Sequence, residues 1–186
     1  GLTAPRFRWV SFVDALLFPL DNGLAKSSNR DYAGFYPSEE KLLKRYLADL
    51  GLKRLPATLN EYLTKVVTAT LERQKAQGVI ALKYEAAYLR LLDFEKPDRR
   101  VAFATYARFS RKGVPPAKDY KALQDFLFYH IAKEAGRLRL AIHIHIFEGA
   151  GSYYRPSGSN PLLLQSIFND SELRKTNFVL VHGGLP

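Results

Sequence analysis

The chain has 186 residues, of which 47% are hydrophobic and 25% are charged, which is typical of a globular domain that buries a core of its own. It contains no cysteine, which excludes disulfides and thiolate metal sites, and no apolar run approaches the roughly 20 residues that span a bilayer. From these features we expect a cytoplasmic protein without a membrane partner. The net charge of +10 suggests nucleic acid as a partner, but the basic residues are scattered in pairs, mostly at the ends of helical patterns. We therefore predict solvated cations and no nucleic-acid interface.

The predicted elements alternate between strand and helix. Residues 6–13 are β-prone, and the turn-rich residues 21–38 predict a long loop. Helices are predicted at residues 38–51, 58–78, 98–112 and 117–134, and the second begins with the capping box of Thr58 and Glu61. Strands are predicted at residues 79–83, 140–146 and 177–182, and Asn160-Pro161 predicts one more helix start. This order is typical of parallel strands with helical crossovers, in a doubly wound sheet or in part of a barrel.

Two segments place histidines at the ends of predicted strands. In residues 141–146 His143 and His145 alternate with three isoleucines, so the imidazoles share one face of the strand. His182 follows the apolar residues 178–181 and precedes two glycines. The carboxyl ends of parallel strands meet at one edge of a sheet, where active sites gather. The pattern predicts a metal or catalytic role for His145 and His182, with His143 as a supporting residue.

Lys83 is predicted at the same edge, at the end of the strand at residues 79–83. Three roles remain open for it: neutralising an anionic substrate, binding a metal after carbamylation, or pairing with Glu85. Further residues near the predicted site are Tyr84, Arg90 and Glu148, which suit a supporting or substrate-binding role. Glu148 is the only carboxylate close to the end of the strand at residues 140–146.

At these residues the chain resembles the amidohydrolase superfamily, in particular its amidohydrolase-2 type metal-dependent hydrolases. The resemblance is carried by residues 80–90, 142–149 with Gly151, 159–161, and 178–184 with Pro186. It implies a TIM-type (β/α)8 barrel and a divalent metal, with zinc the first expectation. His145 and His182 would be the metal ligands, and Lys83 would be the strand-end lysine that some members carbamylate. The family's first-strand His-x-His and last-strand acid have no counterpart here.

Those two missing motifs and the lack of methionine lead us to expect a partial chain, with residues 1–186 as one partial barrel domain that holds the middle strands. The function we expect is activation of water for attack on a small molecule, with C–N hydrolysis the first choice. A decarboxylase or a uronate isomerase on the same barrel is an alternative. A non-enzymatic basic binding module is the hypothesis from a different class, and homo-oligomerisation is left open.

Overall fold

The computed structural model describes residues 7–147, 149 and 156–182. Four strands form one parallel sheet in chain order: β1 (Trp9–Phe12), β2 (Val79–Tyr84), β3 (Ala141–His145) and β4 (Phe178–Val181). The helices are α1 (Gly23–Ser28), α2 (Phe35–Asp49), α3 (Leu59–Glu61), a π-helix (Tyr62–Thr68), α4 (Ala69–Ala76), α5 (Arg99–Phe109), α6 (Ala117–Leu138) and α7 (Gln165–Phe168). Short 3-10 helices are Asp14–Leu17, Arg30–Tyr32, Ala86–Tyr88, Pro156–Gly158, Pro161–Leu164 and Ser171–Leu173.

One face of the sheet packs against helices. Leu82, Ile142 and Ile144 point to this side and are fully buried. α6 contacts β3 and α4 contacts β2, so these two helices form the layer over that face. Ile146, the third isoleucine of the predicted strand, is buried as well. All three isoleucines are thus core residues, as the alternation indicated, because a parallel sheet buries a continuous apolar surface under its crossover helices.

The opposite face is more polar and more exposed. Phe12, Lys83, His143 and Val179 occupy equivalent register positions on the four strands and therefore share this face. Phe12 and Val179, at the two sides of the sheet, are 46% and 42% exposed. In the described residues the sheet is open, with β1 and β4 as its outer strands. The predicted α/β class with parallel strands is confirmed, whereas these residues do not form a closed barrel.

The segment at residues 21–38 is not the long loop that was predicted. It contains α1 and a 3-10 helix, and α2 already begins at Phe35. These short helices are held by distant groups: the Lys26 ammonium pairs with Glu40 at 2.7 Å, and the Asn29 amide donates to the carbonyl of Tyr88 at 2.8 Å. Tertiary contacts of this kind override the turn preference of the local sequence.

Two local predictions are confirmed at the level of single hydrogen bonds. The Thr58 hydroxyl accepts from the backbone N–H of Glu61, as a capping box requires. The Asn160 side chain accepts from the N–H of Leu162, although the helix that follows is a 3-10 turn before α7. Among the helices of the described residues, none combines the length and apolarity needed to cross a bilayer.

Candidate functional site

The two predicted metal ligands meet at the carboxyl edge of the sheet. His145 is the last residue of β3 and is buried, and His182 directly follows β4 and is exposed. Their rings lie with centroids 4.5 Å apart and planes inclined by 68°. Because β3 and β4 are paired with His145 opposite Val181, the parallel register itself brings the two imidazoles together. The structure therefore assembles the pair that the sequence placed on separate strands.

The backbone turns sharply after both strands. Phe147 has φ +53° and His182 has φ +87°, a region that residues with a Cβ atom seldom adopt. Such conformations cost free energy and are found preferentially at functional sites, where the surrounding structure holds them in place. At His182 this conformation sets the direction in which the imidazole leaves the strand end.

A cluster of aromatic rings lies beside the buried imidazole of His145. The Tyr88 ring lies 4.8 Å from that of His145, centroid to centroid, and the Phe35 ring stacks on Tyr88 at 5.2 Å with an angle of 4° between the planes. Tyr32 meets Tyr88 edge-on at 5.3 Å. A cavity of about 290 Å³ has Tyr32, Tyr88 and Arg30 among its lining residues. Tyr88 thus contacts His145 and also lines this cavity.

Lys83 lies one strand away from the histidine strand. It is the register neighbour of His143, so both side chains project from the exposed face of the sheet. Its Nζ is shielded from solvent and has no hydrogen-bond partner among the described residues, so the pairing with Glu85, one of the three roles left open above, is not formed. Burial lowers the pKa of Lys83, and the nearby charges of Glu85 and Asp14 oppose this shift. A group that accepts a hydrogen bond from the Lys83 amine would therefore stabilise this buried side chain.

Three carboxyl groups gather after β1 and β2. Asp14 is 1% exposed, and both of its carboxylate oxygens accept from the Glu85 N–H at 3.0 Å. Burial, and then the charges of Glu39 and Glu85, raise the pKa of Asp14 well above its usual value. Burial and the charge of Glu85 raise the pKa of Glu39 to about 7, a value suited to general acid–base work. This cluster was not predicted from the sequence.

The signal for Asp14 was its place directly after a β-prone segment, where a carboxylate reaches the same edge as the histidines. Glu39 has no such signal, because it lies on α2 and approaches the edge only through helix packing. The amphipathic pattern of α2 predicts a helix there, and it does not predict that a carboxylate on it is partly buried.

Two predicted supporting residues lie elsewhere. Tyr84 points to the helix-covered face, where its ring lies 5.2 Å from that of Phe128, because it alternates with Lys83 along β2. Arg90 donates to Asp125 at 2.8 Å, and also to Gln124 and Asp93. The Arg90 guanidinium is thus occupied within the protein and supports the wall of the cavity. Glu148 lies outside the described residues.

A metal ion would find two imidazole donors here. In the part of the chain that the structure describes, no group of three or more His, Asp or Glu side chains is arranged to hold a metal. Catalytic zinc commonly takes three protein donors and keeps one position for water. The described residues therefore fit part of a zinc site and do not complete one.

Comparisons with known proteins give one structural match. No family model matches the chain, and no curated protein matches it. A solved structure from Lactobacillus casei, named "putative metal-dependent hydrolase", matches with a TM-score of 0.56 and 20% identity. The match covers 74% of this chain and 35% of that protein, so it spans about a third of the neighbour's length. At this identity the likeness is one of fold: parallel strands that alternate with helices.

Proposed function

We propose that this chain contributes His145 and His182 as ligands to the metal of a metal-dependent hydrolase. The observation that carries the proposal is the pair of imidazoles at the carboxyl edge of a parallel sheet, with ring centroids 4.5 Å apart. The strained backbone at His182 supports it, since such strain accumulates at functional sites. The name of the Lactobacillus casei protein, together with its similar fold, is consistent with this class of enzyme.

Zinc is the metal we propose, because neutral imidazole is among its preferred donors. The remaining protein donor would come from outside the described residues. A bound divalent metal would supply an activated water molecule for attack on the substrate. Within the described residues His145 and His182 would hold the ion, and His143 would support its neighbour on β3.

We further propose that the four strands are the middle strands of a TIM-type (β/α)8 barrel of the amidohydrolase superfamily. The face with Phe12, Lys83, His143 and Val179 would then line the barrel interior, which explains why apolar side chains stay exposed on it. The substrate would be a small molecule in the cytoplasm, and the reaction C–N bond hydrolysis. Decarboxylation or uronate isomerisation on the same barrel would use the same edge.

Zinc binding tests the proposal directly. Titration of purified protein with zinc, read by calorimetry, is expected to show one saturable site that His145→Ala and His182→Ala each weaken by at least about tenfold. His143→Ala is the matched control, because this imidazole lies on the same strand and is expected to change affinity less. If the wild type and both variants take up the same amount of zinc, His145 and His182 are not ligands.

The second candidate is a non-enzymatic basic binding module, favoured by the net charge of +10. This hypothesis predicts DNA affinity that falls steeply with salt in protein that binds no zinc.

A homo-oligomer is a separate proposal, since a second copy is one way to cover the outer edges of β1 and β4. Light scattering of the protein used for the zinc titration measures the size of the assembly.

A further inference from the structure

A second cavity lies away from the histidine pair, between α2 and the segment that leads from the β1 end into α1. Its volume is about 600 Å³, within the range of small-molecule sites. One wall is the face of α2 that carries Leu43, Lys44 and Leu47, and the opposite wall contains Phe18. Lys53 and Arg54, in the connection from α2 to α3, form part of its lining. We name this cavity the α2 groove.

One wall of the α2 groove is apolar. Phe18, Leu43 and Leu47 belong to the hydrophobic core and are nearly fully buried, and Leu55 is half-buried beside them. Leu43 and Leu47 are four residues apart and therefore lie one above the other on the same side of α2. A ligand in the groove would meet hydrocarbon along this wall.

The charges of the groove do not balance. Of its two carboxylates, Glu40 pairs with Lys26 at 2.7 Å, whereas Asp21 accepts from the neutral backbone N–H of Gly23 at 2.7 Å and keeps its charge. Within the described part of the chain, Lys44, Lys53 and Arg54 form no ion pair and no side-chain hydrogen bond. Three exposed cations are therefore set against the one carboxylate of Asp21, which leaves the lining with an excess of positive charge.

We propose that the α2 groove binds a small amphipathic anion, a carboxylate or phosphate joined to an apolar body. The hydrocarbon would pack on Phe18, Leu43 and Leu47, and the anionic group would be held by Lys53 and Arg54, with Lys44 nearby. An arginine beside lysine suits both head groups, because guanidinium binds planar anions in a bidentate manner. The site is separate from the histidine pair and does not depend on a metal.

Methyl-resolved NMR with octanoate, octyl phosphate, octanol and inorganic phosphate as probes tests the proposal. Octanoate or octyl phosphate is expected to shift the methyl signals of Leu43, Leu47 and Leu55 in a saturable manner. The double variant Lys53→Glu/Arg54→Glu is expected to weaken binding about tenfold, since two exposed attractive charges become repulsive. The matched control, Lys41→Glu/Lys118→Glu, makes the same change in net charge at exposed lysines outside the groove and is expected to bind like the wild type.

Whichever of octanoate and octyl phosphate binds more tightly identifies the head group. Octanol that binds as tightly as both anions, or inorganic phosphate that alone accounts for the affinity, would overturn the proposal. Equal weakening by the two double variants would also overturn it, because the effect would then come from net charge and not from the groove. Zinc affinity is expected to be unchanged in both variants, so failure here is distinct from failure of the metal-site proposal.

Discussion

The carboxyl edge of the sheet has two halves, one beside β1 and β2 and one beside β3 and β4, and each contains an energetically unfavourable feature. Beside β1 and β2 the feature is electrostatic, because burial disfavours the ionised carboxylates of Asp14 and Glu39. After β3 and β4 it takes the form of backbone geometry, with positive φ at Phe147 and His182. One edge of a sheet can therefore combine carboxyl groups that keep their protons with a strained backbone that orients an imidazole. Perturbed pKa values and strained backbone are both typical of functional sites.

Replacement of Asp14 is expected to have the largest effect on stability. Asp14→Ala leaves the partly buried N–H of Glu85 without its two acceptor oxygens, and such an unsatisfied donor costs about 2 kcal/mol of unfolding free energy. Asp14→Asn is the matched control, because its amide oxygen still accepts while the buried charge is removed. Urea denaturation at pH 8 measures both, and an alanine variant as stable as the asparagine variant would contradict the role assigned to this hydrogen bond.

The pH dependence of stability is expected to change next most. The pKa of Glu39 is raised from 4.5 to about 7, so the folded state binds this proton more tightly than the unfolded state does. Its contribution to stability is therefore fully present below about pH 4.5 and is lost as the pH rises through 7. Partial exposure reduces the effect, and we expect a change on the order of 2 kcal/mol.

Glu39→Gln is expected to remove this contribution, so the variant should lose less stability than the wild type between pH 5 and pH 8. Glu40→Gln, one residue along α2, is the control, since Glu40 is paired with Lys26. Urea denaturation across the pH range gives the two slopes. If both variants follow the wild-type curve, Glu39 does not hold a proton near neutral pH.

The smallest effect concerns the other half of the edge. His182→Gly and His182→Ala both remove the imidazole, but only glycine adopts φ +87° without steric cost. The glycine variant is expected to be more stable than the alanine variant by about 1 kcal/mol, as measured by thermal denaturation. Equal stability of the two would mean that the backbone at His182 is not strained. Zinc affinity should fall in both.

Sequence reasoning reached the β3–β4 half because its signals are local. Strict alternation at residues 141–146 fixes which side chains share a face, and the parallel register then brings His145 to His182. The β1–β2 half depends on groups distant in sequence. Asp14 is satisfied by the backbone of Glu85, 71 residues away. No pattern around Asp14 indicates that this carboxylate is buried.

The same distinction explains the other differences. α1 lies in a segment whose Asn, Gly and Ser residues favour turns, and the partner of its Lys26 is on α2. The helix of residues 58–78 has the predicted start at Thr58, but its middle is a π-helix, and apolar spacing alone does not separate a π-helix from an α-helix. Lys83 was placed correctly on its strand, while the burial of its amine required the packed sheet.

The order of the strands has a consequence for how the chain folds as it is made. Because β1 to β4 pair in the order in which they occur, each new strand finds its template already synthesised. The sheet can therefore form one strand at a time during synthesis, with α4 and α6 each made before the strand that they contact, β2 and β3. Under this scheme β4 pairs with the sheet after β3 does, so the contact between His145 and His182 forms only once residues 178–182 have been synthesised.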